Sequence, residues 1–419
     1  MNDIYLDYAA TTPLSPKVKK AMDPYWSDIF GNPMSMHLFG QKAAEGVERS
    51  RQTSSDYFSV QPEEIIFTSG ATESNNLVVK GIVGAISLYN KRYIGRVNSP
   101  ENFTPHIVTS SYEHHCLLNS VKKIVARGLA EATFIEPNRD GIIDPEKVIS
   151  AIKDNTVLVS IMYVNNEIGT VNDLKTIGEA LNNIKIKRKE KAGLIDKEAL
   201  PIYFHSDLTQ GVNFLDCNAK KLNLDLFSMS GHKIYGPKGV GLLGVKKGVI
   251  IEKIQQGGDQ EFNLRSGTHN VTGIVGLGKA LEEVSRNKKI QTKKVASLQK
   301  HMAKKLKKRI KNIQINGSMK RRIVNNLNIS FKDVEGESLL LLLSAAGIAC
   351  STGSACSSES LEPSHVLLSI GCSHPEAHSS LRFSLSHLTK KEDLDRTVEV
   401  LAESVEKLRN ITGEIKRKL

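Results

Sequence analysis

Short apolar, β-branched runs alternate along most of the chain with longer stretches whose apolar positions recur every three or four residues. Residues 64–68, 106–109, 132–135, 157–162, 202–205 and 226–229 read as strands. The run 157–162 is nearly all apolar, as expected of a strand covered on both faces. Helical spacing covers 74–86, 114–127, 145–153 and 174–184, with Leu117, Leu118, Val121, Ile124 and Val125 sharing one face of the second. Repeated strand–helix alternation predicts an α/β fold with a mostly parallel sheet flanked by helices.

From Val271 the texture changes. A long helix is predicted to about residue 310, broken near Asn287, followed by strands at 326–331 and 380–384 and helices at 339–345 and 394–411. This pattern predicts a large domain over 15–258 and a smaller α+β domain formed by 1–14 and 259–419. The polar stretches 90–104 and 185–200 read as surface insertions.

Composition adds limits. With 419 residues and 40% hydrophobic content the chain can bury the cores of two domains. No apolar run is long enough to span a bilayer. The first eight residues carry two acids and no basic segment, which reads as neither signal nor transit peptide and predicts a cytoplasmic protein. Cysteines stand at 116, 217, 350, 356 and 372, widely spaced, so neither a disulfide framework nor a metal site is expected. The formal charge of +12 is concentrated at 185–189, 304–309 and 320–322. No aromatic residues interleave with these clusters, which favours solvated helix faces or an acidic partner over stable nucleic-acid binding.

Candidate chemistry lies in a few segments. Lys233 sits in the run Ser230-Gly231-His232-Lys233-Ile234-Tyr235-Gly236-Pro237-Lys238, at a strand end and turn, where a desolvated amine can form a Schiff base. Asp207 closes an earlier strand; it suits either a helix cap or a partner for a pyridoxal phosphate ring nitrogen, which must stay protonated to draw electrons. Gln210 follows within reach of the same ring. The glycine-bearing turn at 68–75, between a strand and a helix, offers donors to a phosphate. Gly239, Gly241 and Gly244 match a dinucleotide pattern but carry strand texture, so that reading is rejected. Cys356 lies in the small, polar segment 350–360, which reads as an exposed loop able to reach roughly 17 Å. Arg382, on a strand, suits a substrate carboxylate or a structural ion pair.

With these pieces the chain resembles the group I cysteine desulfurases of the NifS/IscS type, pyridoxal phosphate (PLP) enzymes of the class-V aminotransferase family. The resemblance covers about residues 5–408 and rests on Gly31-Asn32-Pro33, Ser69-Gly70-Ala71-Thr72-Glu73-Ser74, Val164-Asn165-Asn166-Glu167-Ile168-Gly169, Ser230-Gly231-His232-Lys233, Arg265-Ser266-Gly267-Thr268, Gly353-Ser354-Ala355-Cys356 and Ser360-Leu361-Glu362-Pro363-Ser364. It implies the fold-type I architecture of PLP transferases and a homodimer. It implies that Ala71, Thr72, Ser230 and His232 hold the phosphate, with Thr268 supplied by the second subunit. Asn166, Asp207 and Gln210 would hold the ring, His114 would stack on it and shuttle protons, and Lys233 would carry the cofactor. Arg382, with Asn166 and Asn32, would bind L-cysteine. Cys356, on a mobile loop at 350–362 of the small domain, would take the sulfur as a persulfide, leaving alanine. Delivery would be to a sulfur acceptor, in iron–sulfur cluster assembly or tRNA thiolation.

Two departures stand out. Leu208 follows Asp207 where the family often has alanine, and the chain ends at Leu419 without the longer extension that many relatives use to dock a scaffold. The competing readings are a selenocysteine lyase or other PLP lyase of the same fold, and a catalytically silent partner subunit. The thiol argues against plain transamination, and intact Lys233, Asp207 and Cys356 argue against silence.

Overall fold

The computed structural model describes residues 3–93, 103–193, 199–352 and 362–418, with the backbone alone for 88–93 and 412–418. The chain opens with β1 (Ile4–Tyr5) and then builds a seven-stranded sheet. Its members are β2 (Ile65–Thr68), β3 (His106–Ser110), β4 (Glu131–Ile135), β5 (Thr156–Ser160), β6 (Tyr203–Asp207), β7 (Leu226–Ser230) and β8 (Gly241–Val245). Their order is β2-β8-β7-β6-β5-β3-β4, and only β8 runs against its neighbours. Except for the edge strand β4, each strand of this sheet is buried along its whole length. That is why strands such as Thr156–Ser160 lack the regular apolar–polar alternation of a half-exposed sheet.

Successive side chains point to opposite faces. Phe67, Val108, Val159, Phe204 and Met229 join one core with Ile274, Leu277 and Leu281. Ile66, Ile107, Leu158, Tyr203 and Leu243 join the other with Leu77, Ile82, Leu117 and Val121. Helices therefore cover both faces, and the carboxyl ends of β2, β3, β5, β6 and β7 lie along one rim, where ligands of open α/β sheets bind.

A third core is built by a four-stranded antiparallel sheet of β9 (Ile313–Ile315), β10 (Asn326–Phe331), β12 (Ser351–Thr352) and β13 (Ser380–Ser384), in the order β12-β13-β10-β9. β1 pairs in parallel with β11 (Ile348–Ala349), which puts Ile4 and Leu6 in this core beside Phe331, Leu339 and Phe383.

Three expected boundaries shift. The helix Val271–Arg309 runs unbroken for 39 residues; at the expected break, Asn287 donates from its side-chain amide to Glu283 O and stays helical. Its first half supplies Ile274, Leu277 and Val284 to the large core and its second half Val295, Met302 and Leu306 to the small one. The expected insertion at 185–200 is helical as far as Gly193 within Leu174–Gly193, because Arg188 donates to Thr156 O and Lys153 O and Lys185 pairs with Asp225. The helix Ala71–Tyr93 likewise runs past residue 86 into the other polar stretch. No helix among the described residues is long and apolar enough to cross a membrane.

Candidate active site

A cavity of about 540 Å³ opens at the carboxyl-end rim of the large sheet. Ala71, Thr72, His114, Asn166, Asp207, Gln210, Ser230, His232, Lys233 and Arg382 all line it. Asn32 and Thr268 are exposed and do not line it within one chain. Cys356 lies outside the described residues.

Lys233 ends the short turn Gly231–Lys233 that follows β7. Gly236 N donates to Gly231 O, and a side chain at Gly236 would come within 2.8 Å of that carbonyl, so the turn requires glycine there. The Lys233 ammonium donates to Ala9 O at 2.7 Å and Ala10 O at 2.5 Å. Gln210 also donates to Ala9 O, at 3.1 Å, and Thr11 Oγ1 lies 3.1 Å from His232 Nδ1. The segment 7–12 is thus a wall of the site that local patterning gave no means of placing. Burial, then the positive Lys233 and Lys238, push His232 down to about 4, so its imidazole is neutral.

Asp207 stands at the end of β6, where Asn75 Nδ2 donates to Oδ2 at 2.7 Å and Thr209 N to Oδ1 at 2.9 Å. Across the cavity His114 caps the helix His115–Ala126, its Nδ1 accepting from Cys116 N at 3.2 Å. Burial depresses the His114 pKa; Asp207 opposes this and Lys233 adds to it. Ser69, Gly70, Ala71 and Thr72 form the N-terminal end of the 23-residue helix Ala71–Tyr93 and face the cavity. Arg382 Nη1 donates to Asn166 O at 3.0 Å and Nη2 to Asp7 Oδ1 at 2.9 Å.

Pattern reading gave no role to Glu167 or His365, which also line the cavity. Ser364 donates to Glu167 Oε2, and burial pushes that carboxyl up to about 7, opposed by Ser364 and Arg382. His365 approaches Glu113 O at 3.1 Å through Nε2. The only sequence signals were that Glu167 belongs to the motif at 164–169 and that His365 directly follows the motif at 360–364.

The donor set fits PLP. A helix N-terminus with Thr72 and Ser230 offers hydrogen bonds to a phosphate, a carboxylate stands where a ring nitrogen needs a partner, and an amine lies on the same cavity. The Thr209 hydroxyl and Arg382 Nε are buried without a hydrogen-bond partner among the described residues, as groups awaiting a polar ligand would be. The segment Gly239–Gly244, which runs into β8, serves this fold rather than a dinucleotide. Gly239 has φ +74°, while side chains at Gly241 and Gly244 would strike Gly70 Cα at 2.6 Å and the Phe227 ring at 2.1 Å.

The family model Aminotransferase class-V matches residues 4–397. The cysteine desulfurase IscS of Dictyoglomus turgidum is 42% identical over 410 residues, covering 98% of this chain and 96% of that one. Among solved structures, a NifS-like protein superposes with TM-score 0.83 at 29% identity, covering 96% of this chain and 98% of its own. A structure described as SspA in complex with cysteine gives TM-score 0.76 at 33% identity, covering 92% and 100%. The chain belongs to the class-V aminotransferase family, in its cysteine desulfurase branch.

Proposed function

We propose that this enzyme removes sulfur from L-cysteine, leaving L-alanine and a persulfide on Cys356 for delivery to an acceptor. The observation that carries this reading is the placement of the Lys233 amine, the Asp207 carboxylate and the Arg382 guanidinium on one cavity. PLP supplies the electron sink that makes bonds at the substrate α-carbon labile. Ala71, Thr72, Ser230 and His232 would hold its phosphate, with Thr268 supplied by a second subunit. Asp207, Asn166 and Gln210 would hold its ring, and His114 would stack on it. Arg382, with Asn166 and Asn32, fixes the substrate carboxylate, and Lys233 Nζ moves the α-proton. The Cys356 thiolate then attacks the substrate sulfur. An S–S bond forms, the carbon–sulfur bond breaks with its electron pair returning to carbon, and protonation of that carbon releases alanine.

The Cys116 thiol, which lines the cavity, is unsuited to this step. Burial pushes Cys116 up to about 12, so it stays protonated, and only a thiolate is an effective nucleophile. A homodimer is supported by the exposed apolar side chains Trp26, Phe30, Met34, Met36, Leu38 and Phe39, which crowd the same stretch as Asn32. The division into a large unit at 15–258 and a small one at 1–14 and 259–419 is kept, with the helix Val271–Arg309 as the strut between them. The acceptor is assigned to iron–sulfur cluster assembly or tRNA thiolation, and the site of action to the cytoplasm.

The test is release of alanine and sulfide from L-cysteine. Cys356→Ala is expected to abolish persulfide and sulfide formation. Lys233→Ala is expected to lose the visible absorbance of bound PLP and about 10²–10⁴-fold in rate. Full turnover by Cys356→Ala would refute the proposal. Sedimentation at micromolar concentration tests the dimer.

A further inference from the structure

Behind Asp207 lies a chain of buried polar groups that crosses three strands. Ser160 stands opposite His205 in the β5–β6 pairing, and Asp207 opposite Ser228 in the β6–β7 pairing. Ser160 Oγ lies 2.8 Å from His205 Nδ1, and His205 Nε2 lies 3.1 Å from Ser228 Oγ. Ser228 in turn bonds Asn75 Oδ1, and Asn75 Nδ2 reaches Asp207 Oδ2 at 2.7 Å. Ser160, His205, Ser228 and Asn75 are each 0% exposed.

The direction of every bond follows from the carboxylate. An ionised carboxylate only accepts, so Asn75 must present its nitrogen to Asp207 and its oxygen to Ser228. Ser228 has one hydrogen and gives it to Asn75. Its oxygen therefore accepts from His205 Nε2–H. The second imidazole nitrogen must then accept from the Ser160 hydroxyl. Burial pushes His205 down to about 4, in keeping with the neutral ring that this order requires.

The same amide reaches His114. The second hydrogen of Asn75 Nδ2 points to Cys116 Sγ at 3.1 Å, and that sulfur lies 3.0 Å from His114 Nδ1. His114 Nδ1 already accepts from the Cys116 backbone, so the S–H adds a second donor and the imidazole proton is left on Nε2. Both hydrogens and the oxygen of Asn75 are thus engaged, and its amide cannot flip without breaking three contacts.

We propose that Asn75 is a positioning residue for the reaction, the junction through which the Ser160–His205–Ser228 chain fixes the Asp207 carboxylate and, by way of Cys116, the proton of His114. This rests on the reading of Asp207 as the partner of the PLP ring nitrogen. Removing Asn75 takes away the donor that aims Asp207 and frees both partners to rotate, while leaving every group that touches substrate in place.

The test compares PLP-loaded wild type, Asn75→Ala, Ser228→Ala and Asp207→Ala. The readouts are absorbance spectrum, PLP dissociation constant, kcat and KM. For Asn75→Ala the PLP dissociation constant is expected to rise about tenfold and kcat to fall about tenfold, with a shifted absorbance band and KM within about threefold of wild type. Ser228→Ala should move the same quantities in the same direction by about threefold, and it carries the test alone if Asn75→Ala does not fold. Wild-type spectrum, PLP affinity and kcat in both variants, beside an impaired Asp207→Ala, would overturn this inference alone. An unimpaired Asp207→Ala would overturn the parent reading with it.

Discussion

Arg382 Nη2 and Asp7 Oδ1 stand 2.9 Å apart although 375 residues separate them, so the guanidinium proposed to bind a substrate carboxylate already carries one. Arg382 is 3% exposed, and its Nε has no partner among the described residues. An incoming carboxylate therefore meets a cation half-neutralised by Asp7, and the two anions repel across it. Asp7→Asn is expected to lower KM for L-cysteine several-fold. It should also cost about 1–3 kcal/mol of stability, because Arg382 is left buried without a countercharge. Steady-state kinetics and denaturant titration check both; a raised KM would mean that Asp7 chiefly orients the fork.

Two buried acids should make the enzyme less stable as pH rises. Burial pushes Glu113 up to about 8, with Ser110 and Met162 N opposing, and Glu167 up to about 7. Both folded values exceed the ordinary glutamate value of 4.5, so between about pH 4.5 and 8 the folded state holds more protons than the unfolded one. Stability must then fall with rising pH across that window. Glu113 Oε2 has no hydrogen-bond partner among the described residues, so its ionised form gains little there. Glu113→Gln, which stays neutral, is expected to match wild type near pH 4.5 and exceed it by roughly 1–3 kcal/mol at pH 9. Urea titrations at the two pH values check this; parallel curves would place Glu113 in an ordinary ionisation range.

Gly241 tests how the turn proposed to hold the phosphate is supported. A Cβ there would meet Met229 O at 2.5 Å and Gly70 Cα at 2.6 Å, both backbone atoms with no rotamer to give. Gly241→Ala should therefore displace the turn Ser69–Gly70 and raise the PLP dissociation constant, with a stability loss of about 1–3 kcal/mol. PLP titration followed by absorbance measures the first effect, and Gly239→Ala, a strain without a clash, is the control for the second.

How far the sequence disclosed this molecule depends on the range over which its signals act. The strands Thr156–Ser160 and Leu226–Ser230 were readable because burial on both faces makes them short and predominantly apolar or β-branched. The ends of Ala71–Tyr93 and Leu174–Gly193 were not, because residues such as Arg188 are held by carbonyls from other elements. Lys233 and Asp207 stood out as charged residues at strand ends, and Arg382 as a charge within a strand. Asn75, Asp7 and the carbonyl of Ala9 did not, since their contacts arise only when β-strand register brings distant segments together. The Ser160–His205–Ser228 chain is a property of sheet pairing, and no local spacing announces it.

A last prediction concerns the clasp between Arg51 and Glu261. Arg51 Nη1 and Nη2 donate to Glu261 Oε2 at 3.0 Å and Oε1 at 2.8 Å; Phe67 N and His269 Nε2 also meet this carboxylate, at 2.6 and 2.7 Å. The two side chains are 4% and 2% exposed. Burial raises the Glu261 pKa, but His269, Arg51 and Phe67 together hold it below the usual carboxylate value. Its contribution is therefore present at neutral pH and lost as pH falls through the folded pKa. Arg51→Met would leave that carboxylate buried without its main countercharge and is expected to cost about 3–5 kcal/mol, whereas Arg51→Met combined with Glu261→Met should recover much of the loss. The clasp joins the helix Leu38–Phe58 to the segment that runs through Glu261, Phe262 and Asn263, all at positive φ, towards Thr268. If Thr268 serves the second subunit, Arg51→Met should also weaken the dimer, seen as a lower sedimentation coefficient at equal concentration. A single variant that stays as stable as the double would show that the pair is not coupled.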